Sequence, residues 1–92
     1  MIWYRYLEIT AENTFSPALA VWGKFNFSLS GTWAATVYVQ RSFDNEVTWV
    51  DVEAFTENTE KIGEDAAPGT LYRFGVKAGG YTSGTIIGRI GF

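Results

Sequence analysis

Residues 30–53 read SGTWAATVYVQRSFDNEVTWVDVE, two runs of alternating apolar and polar residues on either side of Asp44-Asn45-Glu46. A period of two fits a strand and not a helix, because successive strand side chains point to opposite faces. Asp and Asn bond to their own backbone and tolerate left-handed φ, so the residues between the runs suit a hairpin turn. The stretch therefore predicts two antiparallel strands, over 32–43 and 47–55. In the first, Trp33, Ala35, Val37 and Val39 share a face, and Trp33 belongs to the core. In the second, Val50, Val52 and Ala54 face the core while Trp49, Asp51 and Glu53 look outward.

The same grammar runs through the rest of the chain. Residues 2–10 place Trp3, Leu7 and Ile9 on one face and Ile2, Tyr4 and Tyr6 on the other. A strand apolar on both sides is buried on both sides, or is covered by another chain. Residues 11–17 read as a loop, since Pro17 cannot occupy a central strand. Over 21–30, Phe25, Phe27 and Leu29 alternate with Lys24, Asn26 and Ser28, and Ser30-Gly31 reads as a turn. A short charged edge strand is expected at 56–61 and an acidic loop at 62–69. Tyr72, Phe74 and Val76 share a face in 70–78, before a break at Gly79-Gly80. In 81–92, Gly84 and Gly88 share a face with Ile86 and Ile90, and they point to bulges or close backbone approach. Seven short strands at roughly ten-residue spacing predict one all-β domain over 1–92: a small antiparallel β-sandwich, jelly-roll-like or immunoglobulin-like.

Composition limits the chemistry. The chain has neither cysteine nor histidine. That removes the usual general base, the thiolate nucleophile and the ligands of most zinc sites. Asp51 and Glu53 form the nearest thing to a carboxylate pair, and a solvated strand edge explains them better, so no enzyme activity and no cofactor is expected. Asp44-Asn45-Glu46 and Glu64-Asp65 lack EF-hand spacing, and turn composition accounts for both. The net charge is −3 with seven scattered Lys and Arg, which argues against a nucleic-acid partner. The N-terminus lacks the basic-then-apolar pattern of a signal peptide, and no window matches a membrane span.

What remains is a surplus of rings. Four Trp, five Tyr and seven Phe crowd a 92-residue chain. A domain of this size buries roughly two-thirds of its unfolded surface, which leaves a thin core. The rings either fill that core or sit at the surface, where they anchor interfaces or stack on sugar faces. Ile2, Trp3, Tyr4, Tyr6, Trp22 and Tyr81 are the candidate interface residues, with the first strand as the leading element. A bound glycan is the other use of exposed rings.

From Gly31 onward the chain resembles small virion proteins of tailed bacteriophages. The motifs that carry this are Gly31-Thr32-Trp33, Thr36-Val37-Tyr38-Val39-Gln40-Arg41-Ser42-Phe43-Asp44, Thr48-Trp49-Val50-Asp51-Val52, Tyr72-Arg73-Phe74-Gly75-Val76 and Tyr81-Thr82-Ser83-Gly84-Thr85. The resemblance implies a compact β-sandwich, sometimes a jelly roll, with a structural role. That role is a capsid decoration (cement) protein, or a neck, tail or fibre component. It implies assembly in the host bacterial cytoplasm, residence in the virion, oligomerisation, and contact with the major capsid protein or other virion subunits. It carries over no catalytic or ligand residue.

Overall fold

The computed structural model describes residues 3–92, and all of its regular structure is strand. In chain order these are β1 (Tyr4–Ile9), β2 (Thr14–Phe15), β3 (Leu19–Ala35), β4 (Val37–Ser42), β5 (Val50–Phe55), β6 (Thr59–Val76) and β7 (Tyr81–Gly91). Every pairing is antiparallel, in the order β1-β7-β3-β6-β4-β5, with β2 also on β6. The all-β, sandwich-like class expected from the alternation holds.

Two strands are much longer than the sequence spacing suggests, with 17 residues in β3 and 18 in β6. Residues 19–29 of β3 lie against β6, and residues 26–35 lie against β7. Strand β6 in turn takes β4 as a partner at residues 71–75. This exchange of partners along the long strands curls the sheet, so that its distant parts share one interior. Phe27 of β3 meets Phe55 of β5 at 5.3 Å and Phe74 of β6 at 5.5 Å between ring centroids. Phe74 also packs over Gly88 of β7, where an added Cβ would stand 2.3 Å from its ring. Ile9, Val21, Val37, Phe74, Ile86 and Ile90 are fully enclosed in this core.

Three sequence expectations are corrected. Ser30-Gly31 is not a turn, because β3 runs through it. Gly31 sits at φ 97°, and a Cβ there would lie 2.4 Å from the Thr85 carbonyl oxygen, so the glycine serves a bend and a close approach within the strand. The chain leaves the strand only at Thr36.

The end of the expected short strand, from Thr59, and the expected acidic loop at 62–69 belong to one strand, β6. Glu60, Ile62 and Glu64 project outward. On the inner side, Gly63 leaves room for the Phe25 ring of β3, which a Cβ would approach to 2.6 Å. The apolar content of that inner face comes from the partner strand, so β6 itself reads as polar.

The third correction concerns β5. A bulge between Val39 and Gln40 pairs Glu53 with Val39 but Asp51 with Gln40. Those β4 neighbours point to opposite faces, so Asp51 and Glu53 do not share one. Val50 and Val52, expected in the core, are 52% and 47% exposed because β5 is the last strand of the sheet.

Candidate interaction surface

Among the described residues, strand β1 forms the other end of the sheet and pairs only with β7. Its inner face is anchored by Leu7 and Ile9, which join the core. Trp3, just before the strand, and Tyr4 and Tyr6 on its outer face are all more than half exposed. The expectation that both faces are covered therefore holds for one face of the monomer only. The Phe92 N–H donates to the Trp3 carbonyl at 2.9 Å, continuing the β1–β7 ladder. In an antiparallel ladder the hydrogen-bonded pairs alternate. With Trp3 bonded towards β7, the backbone groups of Tyr4, Tyr6 and Glu8 face the open edge.

The register places further residues beside the tyrosines. Tyr6, Arg89, Ser28 and Glu60 form one row across β1, β7, β3 and β6, and Tyr4, Gly91, Asn26 and Ile62 form the next. The Arg89 guanidinium lies 5.1 Å from the Tyr4 ring centroid and donates to Asn26 Oδ1 at 3.1 Å. Ile62 is 81% exposed. The outer face of these four strands is thus a shallow mixed surface, polar in the middle and aromatic at the β1 end.

Behind the β1 edge lies a groove of about 500 Å³ lined by Arg5, Ala18, Leu19, Trp22, Leu71 and Phe92. The lining is apolar except for Arg5, whose Nε donates to the Ala18 carbonyl at 2.9 Å. Trp22 owes its exposure to the irregular register between Val21 and Gly23, where Gly23 has φ 75°. Four sequence candidates, Trp3, Tyr4, Tyr6 and Trp22, therefore lie at or beside this edge. Tyr81 is half-buried, packs against the core and donates to the Gly84 carbonyl at 2.6 Å. Ile2 lies outside the described residues.

A second cluster lies on the outer face of β4, β5 and β6. The Arg73 guanidinium is sandwiched between Phe15 and Trp49, at 4.1 and 4.3 Å from their ring centroids. Its Nε donates to Gln40 Oε1, Gln40 Nε2 donates to Asp51 Oδ1, and Lys77 donates to Asp51 Oδ2. Lys77 also stands 4.2 Å from the centre of the Tyr38 ring. The hydrogen bonds from Lys77 and then Gln40 hold the Asp51 carboxyl below its ordinary range. Burial lowers the Arg73 value. One face each of Trp49 and Tyr38 is taken by a cation, which suits a rigid scaffold better than a sugar platform.

The Asp44 turn has a similar self-contained character. Asn45 and Glu46 adopt φ 58° and 71°. The Asp44 carboxylate accepts from Ser42 Oγ and from Thr48 N and Oγ1. Among the described residues, no group of three or more acidic or other metal-ligating side chains could hold a metal ion.

The geometry defines a small antiparallel β domain with an exposed aromatic strand at one end of its sheet. The chain matches no protein-family model, and no curated protein or solved structure shows significant similarity to it.

Proposed function

We propose that the chain is a non-enzymatic structural subunit of a tailed-bacteriophage virion, a capsid decoration protein that stabilises the head by burying aromatic surface against capsid subunits and other copies of itself. The reading is supported first by the exposure of Trp3, Tyr4 and Tyr6 along an edge strand whose other face is fixed in the core. Rings held in place this way lose little further freedom on docking, and burying apolar surface gains about 25 cal/mol per Å². A neck, tail or fibre position would use the same surface.

The test is co-sedimentation of the purified chain with virions that lack it. Trp3→Ala or Tyr4→Ala is expected to weaken particle binding by tenfold or more, the scale of losing an interface anchor of about 2 kcal/mol. The backbone amide NMR fingerprint away from the substituted residue should stay native. Wild-type binding by both variants would count against the proposal.

A carbohydrate-binding module is a second reading. It is favoured by the row of Arg89, Ser28 and Glu60 beside Tyr6, which sets polar groups next to a ring. A glycan array distinguishes it: binding lost in Tyr6→Ala supports a sugar site, and a blank array rejects one.

A further inference from the structure

The two ends of the sheet are built differently. The β5 edge is interrupted by the bulge opposite Val39 and Gln40, and it carries Asp51 and Glu53. A bulge is one of the usual devices that keep an edge from pairing with another chain; charge does not separate the two ends, since β1 carries Arg5 and Glu8. Along β1 the register with β7 runs unbroken through six residue pairs, and neither proline nor bulge protects it. The N–H and C=O groups of Tyr4, Tyr6 and Glu8 therefore form a regular template.

That template lies next to the apolar groove. Arg5, which lines the groove, belongs to the inward-facing set of β1 with Leu7 and Ile9. A strand added beside β1 would direct alternate side chains the same way, into the space between Trp22, Leu71 and Phe92. Among the described residues Arg5 is the only charged side chain lining that space, and its Nε is already committed to Ala18. Its two Nη groups remain the natural donors to a carboxylate.

We infer that β1 is a strand-addition site for an extended peptide segment of a partner protein, with apolar residues at alternate positions and an Asp or Glu placed to meet Arg5. The partner's backbone extends the sheet, its apolar side chains enter the groove, and its acid pairs with the guanidinium. The inference rests on β1 being the working interface, and it specifies the mode of contact.

The probe is a synthetic library of nine-residue peptides with Val, Ile or Leu at all but one of the alternate, groove-facing positions, half carrying Asp or Glu at the remaining position of that set and half carrying Lys there. Binding is read by fluorescence anisotropy, and amide hydrogen exchange is followed by NMR. Acidic members are expected to bind at least tenfold more tightly than Lys members, and Arg5→Gln should erase that preference. The bound peptide should slow exchange of the Tyr4, Tyr6 and Glu8 amides by tenfold or more. Tyr6→Pro removes an outward N–H while leaving the bonds to β7, a position where an edge strand tolerates proline. It should abolish binding, whereas Tyr6→Ala should retain it.

Loss of binding in both Tyr6 variants would assign the contact to the ring and overturn strand addition. So would a library with no binder, no acid preference, or no protection of the three amides. Protection that rises with protein concentration alone would give the edge to a second copy and overturn a peptide partner. Any of these results leaves the Trp3 and Tyr4 particle-binding test standing on its own.

Discussion

Asp44 shows how much one side chain does in a turn that lacks glycine. Asn45 and Glu46 both hold positive φ, which suits the right-handed twist of a hairpin but strains an L-residue. The Asp44 carboxylate offsets this by gathering Thr48 and Ser42. Bonds to Thr48 above all lower its pKa from the ordinary 3.8 to about 2. Because the folded value is depressed, the reinforcement is fully present above the ordinary value and is lost as pH falls through about 2. The Thr48 amide resonance is therefore expected to titrate with a midpoint near 2. An ordinary carboxylate midpoint would show that the bonds do not form in solution, and Asp44→Asn should remove the titration. The hairpin was legible in the sequence from residue types alone. The Arg73 sandwich was not, because Phe15 and Arg73 reach the hairpin residues Gln40 and Trp49 from distant parts of the chain.

At the scale of elements, local punctuation misled wherever pairing overrode it. Ser30-Gly31 and residues 62–69 have turn composition, yet both lie inside long strands. The alternation of Phe25, Phe27 and Leu29 was legible because those side chains supply the core themselves. Strand β6 hid because its inner face at Gly63 is an absence that Phe25 fills. The orientation of β5 was missed because a bulge shifts register without leaving a sequence mark. The Gly63–Phe25 account is testable by urea unfolding. Gly63→Ala drives a methyl into a ring already packed 4.7 Å from Tyr72, and should cost about 1–3 kcal/mol as an overpacking change. Combined with Phe25→Leu, the loss should be clearly smaller than the sum of the two single losses. Additive losses would mean that the ring does not occupy the space over Gly63.

Over the whole molecule, the order β1-β7-β3-β6-β4-β5 sets how the working edge comes into being. Only β4 and β5 are both consecutive in the chain and adjacent in the sheet, so every other neighbouring pair must close a long loop before it gains contacts. Loop closure of that kind slows folding to the millisecond-to-second range seen for non-local β topologies. Stopped-flow tryptophan fluorescence after urea dilution should therefore show refolding on that scale, and refolding within microseconds would contradict it. The last strand to find its place should be β1, since it lies at the end of the sheet and needs β7 formed before it can pair. Leu7→Ala tests this directly: it trims the buried face of β1 while leaving the rest of the core intact. Its loss of stability should appear almost wholly as faster unfolding, with a φ-value below about 0.3, whereas Phe74→Ala in the shared core should also slow folding. A Leu7 φ-value near that of Phe74 would mean that β1 belongs to the folding nucleus. A low value would mean that the edge offered to partners is the last element laid on a body already folded, which lets the two ends of the sheet differ without disturbing the core between them.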